Sequence, residues 1–170
     1  MTENQTDEYF EIIYKPKSSI FSGDYLKIIP SDPNFEPTKE QQKIIINHLA
    51  KEYPNNEIKS TLSKNVEFID SGGNFDSVKC NLCGKNIEIE DWQNDMDRAY
   101  QNSFSNLTFQ TLCCQKETSL NELEYNMPCG FSKYQIEIIN PGIENIEQIG
   151  LIKNIESIID KKIKLIWAHY

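Results

Sequence analysis

Apolar and polar positions recur along this chain in two periods, and the switches between them outline its elements. Tyr9 to Tyr14 is a short apolar run, followed by the turn-like Lys15-Pro16-Lys17-Ser18-Ser19. Tyr25-Leu26-Lys27-Ile28-Ile29 has strand character and is stopped by Pro30 and Pro33. After Pro37 the period becomes helical, with Ile45, Ile46, Leu49, Ala50 and Tyr53 on one face. Thr38 and Gln41 have capping-box spacing, each side chain able to satisfy a backbone N–H of the first turn. Pro54-Asn55-Asn56 ends that helix, Val66-Glu67-Phe68-Ile69 returns to strand spacing, and Ser71-Gly72-Gly73-Asn74 is a loop.

The second half follows the same logic. The residues after Cys83 (Gly-Lys-Asn-Ile-Glu-Ile-Glu) read as a strand. Trp92, Met96, Ala99 and Tyr100 fall at helical spacing, with Asp91 as the expected N-cap. Leu107, Phe109 and Thr111 alternate, and Ser119 with Glu122 frames a short capped helix over Leu120 and Leu123. Met127-Pro128-Cys129-Gly130 is a turn, 131–139 a half-buried strand, and Asn140-Pro141-Gly142 its end. A helix within 144–160 carries Ile149, Ile152, Ile155 and Ile159 on one face, and 163–169 is a last strand. Residues 1–8, polar and acidic, are expected to fray.

With 71–130 set aside, strand, helix and strand occur twice in tandem. That order predicts an α+β fold, specifically a ferredoxin-like βαβ–βαβ sandwich. The expectation is one domain over 1–170, with 71–130 inserted as a zinc-ribbon-like segment at its centre. A length of 170 residues suffices for one core with such an insertion.

The insertion holds the candidate chemistry. Cys80-Asn81-Leu82-Cys83-Gly84 is a knuckle in which both thiolates can face one ion, Gly84 tolerating the left-handed backbone that closes the turn. Cys113 and Cys114, some thirty residues on, supply the remaining ligands of a tetrahedral site, which reads as structural Zn2+. Adjacent residues in a strand point to opposite faces, so both reach one ion only if the backbone turns there. Cys129 is a rival for the fourth place, and five unmetallated thiols are the plain alternative. A redox pair is disfavoured, because such motifs precede a helix and this one precedes a strand pattern.

The knuckle, the Cys113-Cys114 pair, Ser119 to Tyr125, Pro128 with Gly130-Phe131, Asn140-Pro141 and the closing Trp167-Ala168-His169-Tyr170 together resemble a family of small uncharacterised bacterial proteins. The resemblance runs from about Cys80 to Tyr170 and carries no activity with it. It departs from the pattern at Gln115, where a Gly is expected after the Cys pair.

Charge narrows the role. Net charge is −9, with 26 acidic against 17 basic residues, and a nucleic-acid binder needs cations to replace condensed counterions. No apolar run is long enough to span a membrane. The opening residues lack a basic n-region and an apolar h-region, so the expected place is the cytoplasm, where thiols stay reduced. No internal repeat is legible. Glu88, Glu90, Asp91, Asp95 and Asp97 form the sharpest charge feature. They lack the Gly and final Glu of a calcium loop, which leaves a solvated helix face or a docking surface for a basic partner.

His169 shares a strand face with Leu165 and Trp167 and reads as a packed terminal histidine; His48 lies on the flank of the first helix. A Cys129–His169 dyad would be needed for nucleophilic catalysis, and no spacing supports it. Phosphate loops, His-Glu-x-x-His and Gly-x-Ser-x-Gly are absent, so no enzyme is expected. The expected function is a bacterial cytoplasmic protein-binding module with a structural zinc, such as an immunity or inhibitor protein against a basic toxin nuclease. The alternative is a zinc-ribbon accessory factor contacting nucleic acid or ribosomes.

Overall fold

The structure, a computed structural model, describes residues 1–18, 23–73, 77–142 and 148–170. In chain order the elements are β1 (Thr2–Gln5), β2 (Tyr9–Tyr14), β3 (Asp24–Pro30), α1 (Lys39–Glu52), β4 (Ile58–Ile69), β5 (Val78–Lys79) and β6 (Asn86–Ile87). There follow α2 (Ile89–Gln101), β7 (Thr108–Gln110), β8 (Glu117–Ser119), a 3-10 turn (Leu120–Glu122), β9 (Glu124–Tyr125), β10 (Gly130–Ile139), α3 (Gln148–Ile159) and β11 (Ile163–His169). The chain is therefore α+β, with mostly antiparallel sheets.

The main sheet has the order β1-β2-β4-β10-β3-β11, each neighbouring pair antiparallel. Its apolar face is covered by α1 and α3. Ile45, Ile46 and Leu49 of α1 and Leu151, Ile155 and Ile159 of α3 share one core with Leu26, Ile28, Ile58 and Ile136. The capping box at α1 forms as expected: Thr38 Oγ1 accepts from the Gln41 amide, and Gln41 Oε1 accepts from the Thr38 amide.

Several expectations need correction. Residues 1–8 do not simply fray, since β1 pairs with β2 from Thr2↔Ile13 to Gln5↔Phe10. The pairing runs through backbone groups, which the polar side chains do not advertise. β4 begins at Ile58, eight residues before the apolar cluster at Val66. Its first half is disguised by Ser60, which is fully buried, donates to Gln42 Oε1 at 3.0 Å and lies 2.9 Å from the Tyr134 hydroxyl. The α3 face uses Leu151, while Ile152 is half-buried; the Ile149 side chain, Ser19, Asn74 and residues 143–147 lie outside the described residues.

The strand expected after Cys83 is only β6, because α2 starts at Ile89. Glu88, not Asp91, is the N-cap of α2, and it makes no side-chain cap bond; Asp91 sits in the first turn, where the helix dipole favours a carboxylate. Trp92 and Ala99 are buried on α2 as expected, but Tyr100 is 70% exposed and lies edge-on to Phe104.

A second core forms from Val78, Trp92, Phe104, Phe109, Leu120 and Leu123 of 71–130, completed by Val66 and Phe131 from outside that stretch. Two small sheets surround it, β6-β5-β9 and the β7–β8 hairpin. Asn121 ties this unit to the main sheet. It is buried, its Nδ2 donates to the Ser31 carbonyl at 3.1 Å, and its Oδ1 accepts from the Phe131 amide at 3.3 Å. Lys164 of β11 donates to the Asn121 carbonyl at 3.0 Å. Asn121→Ala leaves the Ser31 carbonyl and the Phe131 amide short of a bond in a buried place, a loss of about 1–3 kcal/mol. Urea unfolding of the variant should show that loss, with hydrogen exchange rising first at the start of β10.

Candidate metal centre

Each pair of cysteines sits on a turn that closes a hairpin. In the first, the Cys80 amide donates to the Lys85 carbonyl at 2.9 Å and the Gly84 amide donates to the Cys80 carbonyl at 2.8 Å. Gly84 has φ +69°, the left-handed conformation that its missing Cβ permits. In the second, Cys113 and Cys114 lie within the turn between β7 and β8, not on a strand. This removes the objection that neighbours point apart: the backbone reverses at these two residues. Gln115 closes the turn with φ +56°, although it carries a side chain.

The two turns bring Cys80, Cys83, Cys113 and Cys114 together, all four Sγ atoms lying within 4.8 Å of one another. Cys80 Sγ is 3.9 Å from Cys114 Sγ, and Cys83 Sγ is 3.5 Å from Cys113 Sγ. Sulfurs placed about 2.3 Å from one tetrahedral ion are separated by about 3.8 Å, so the spacing fits an ion at the centre. It is far wider than the roughly 2 Å of a disulfide, and all the cysteines are free. Among the described residues this is the one group of Cys, His, Asp and Glu close enough to hold a metal ion. Cys129 is not in it.

Electrostatics make the quartet uncomfortable without a cation. The Cys113 thiol is pushed up to about 11 by loss of solvent contact, with the hydrogen bonds to Cys83 and Cys80 adding to the rise. The Cys114 thiol is brought down to about 7, first by the Thr111 hydroxyl 3.1 Å from its sulfur. Four adjacent thiolates repel one another, and a divalent cation among them reverses that balance and deprotonates the set. The Leu82 amide donates to Cys80 Sγ at 3.4 Å.

Beside the quartet lies a cleft of about 230 Å3. Glu88, Asp91 and Asp95 line one side of it, and Ile87, Phe109 and Leu112 supply apolar surface, with Cys113 at the edge. Partial burial raises the Asp95 carboxyl above its usual range, Arg98 pulling it back and Asp91 adding to the rise. Arg98 is paired with Asp95 at 3.0 Å. Glu90 and Asp97, the other members of the acidic stretch, are exposed and do not line the cleft. The structure thus divides a feature that is continuous in the sequence.

The remaining candidates do not assemble. Burial pushes the Cys129 thiol up to about 12, which leaves it protonated and a poor nucleophile. His169 is exposed, with Nδ1 2.7 Å from Asp24 Oδ1, and among the described residues no hydrogen bond joins it to Cys129. His48 pairs with Glu52 at 3.1 Å on the surface of α1. No described helix is long and apolar enough to cross a membrane. Comparison of the chain with family models, with curated proteins and with solved structures finds no match.

Sequence reasoning missed Thr111 as a partner of the cysteines, and it marked Gln115 only as a departure from the expected Gly. The signal was present: Gln115 stands where the first knuckle has Gly84, so its left-handed φ was the condition for the turn to form. Protein purified with its thiols reduced should carry about one metal ion per chain by elemental analysis, and Cys83→Ser should lose it. A chelator should loosen 71–130 in amide spectra while the main sheet keeps its signals, because its core is separate. Gln115→Val should lower the melting temperature, since a β-branched residue at positive φ is strained by about 1–2 kcal/mol; Gln115→Gly should retain the metal.

Proposed function

We propose that this chain is a protein-binding module whose insertion is held by a structural Zn2+ on Cys80, Cys83, Cys113 and Cys114, and which presents an acidic cleft to a basic partner. An all-sulfur, tetrahedrally spaced set suits zinc, and four protein ligands leave no open position for chemistry. The order β11-β3-β10-β4, with α1 and α3 on one face, supports reading the main sheet as a ferredoxin-like sandwich and 71–130 as a zinc-ribbon-like insertion at its central connection.

The observation that carries the role is the cleft itself. Glu88, Asp91 and Asp95 fall at i, i+3 and i+7, so they form a stripe about 10 Å long on one side of α2. Leu112, 70% exposed on the second knuckle, lines the same cleft. Carboxylates beside apolar surface suit a cationic side chain with a long aliphatic stem, as lysine and arginine have. A Zn2+ bound by four thiolates has a formal charge of −2, which adds to the same negative field. The net charge of −9 acts in the same sense at long range, speeding encounter with a basic protein. An inhibitor that covers the basic active site of a toxin nuclease inside a bacterial cell is the concrete form of this reading.

A leucine- and arginine-containing hexapeptide, and its counterpart with citrulline for arginine, test it by amide NMR on the zinc-loaded protein. The arginine peptide should shift the signals of Ile87, Asp95, Phe109 and Leu112 in a salt-sensitive way, and the citrulline peptide should not. Asp91→Asn with Asp95→Asn, which removes the charges without placing a cation at the helix start or beside Arg98, should strongly weaken the shifts while the fold is kept. Equal shifts from both peptides, or shifts unaltered in the double variant, would sink the docking role.

A further inference from the structure

The two knuckles are copies of one turn, displaced along the chain by 31 residues. Adding that offset carries the pair Lys79↔Asn86 of the first hairpin onto Gln110↔Glu117 of the second, and Val78↔Ile87 onto Phe109↔Thr118. The closing bonds coincide as well. The Thr111 amide donates to the Lys116 carbonyl at 2.9 Å, as Cys80 does to Lys85. The Gln115 amide donates to the Thr111 carbonyl at 2.9 Å, as Gly84 does to Cys80, and both closing residues have positive φ. Cys114 therefore matches Cys83, and Lys116 matches Lys85. The first-ligand place of the second knuckle, however, is held by Thr111, and Cys113 stands where the first knuckle has Leu82. The repeat is invisible in sequence because only two of these positions keep their residue.

We infer that the second knuckle is a Cys-x-x-Cys turn whose first ligand has moved two places, Cys113 supplying the sulfur and Thr111 remaining as the positioning residue that orients Cys114. This rests on the metal reading above. The Thr111 hydroxyl has two neighbours, Cys114 Sγ at 3.1 Å and the Lys116 carbonyl at 3.1 Å, and one proton to give. With Cys114 as a thiol, its S–H donates to Thr111 Oγ1 and the hydroxyl donates to the Lys116 carbonyl. As a thiolate ligand to a metal, its proton lost to solvent, Cys114 would be an acceptor only. The hydroxyl would then donate to the sulfur, the Lys116 carbonyl keeping its bond from the Thr111 amide. Every group is satisfied in both states. Such outer bonds hold a ligand in place and commonly change metal affinity by about 10- to 100-fold when removed.

The test is competition for Zn2+ against a chelator, together with Co2+ spectra, on the full chain with its thiols reduced. Thr111→Val, close to threonine in shape but without the hydroxyl, should weaken Zn2+ binding about 10- to 100-fold, and Thr111→Ser should restore it. Cys113→Ser should lose the four-thiolate Co2+ spectrum, and Thr111→Cys in that background should recover it by returning the ligand to its matching place. Binding of Thr111→Val within twofold of the original chain would overturn the positioning role. Failure of Thr111→Cys/Cys113→Ser to recover the spectrum, while amide signals of β7 and β8 stay in place, would overturn the equivalence of the turns. If the unaltered chain binds neither ion, the metal reading itself falls, an outcome distinct from both.

Discussion

The structure depends on β10 lying between β4 and β3. From Gly130 to Ile138 it is hydrogen-bonded to β4, and from Ile136 to Ile139 also to β3. Tyr134, Ile136 and Ile138 are thereby placed under α1 and α3. Its first residues serve the other core, since Phe131 packs with Trp92, Phe104 and Leu120 of the insertion. The change of allegiance occurs at a bulge, where the partner on β4 jumps from Glu67 to Leu62 between Ser132 and Tyr134. A Cβ at Gly130 would meet Ile29 Cδ1 at 2.7 Å, so any larger residue at the crossing needs the end of that buried side chain to shift.

The stretch 71–130, held in this way, remains short of internal support. Its strands β5, β6 and β9 are two residues each, and β7 and β8 three. Segments so short are marginal without a staple, which is the physical place for a metal bound at the tips of both hairpins. The knuckles hold one end, Asn121 and Phe131 the other, and the core of Trp92, Phe109 and Leu120 fills the space between. The acidic cleft forms where α2 passes the second knuckle, so a metal bound there would help to fix its shape. Loss of the metal would then loosen the cleft as well as remove part of its charge.

Much of this was legible from residue order alone. Apolar periodicity placed α1, β3, β10, α3 and β11, because each buries a continuous face against the same core, and burial demands repetition. The Thr38 capping box was readable for a similar reason: its partners are three residues apart, and local chemistry needs no fold to express it. The cysteines identified themselves by type and spacing. β1 and the first half of β4 were illegible, since backbone pairing leaves polar side chains free to vary and Ser60 is polar yet buried. What only the tertiary structure decided is which distant groups meet. The separation of Glu88, Asp91 and Asp95 from Glu90 and Asp97 depends on where α2 passes the second knuckle. The likeness of Thr111 to Cys80 lies in carbonyls and amides, and a backbone bond is made by every residue type and therefore written in none.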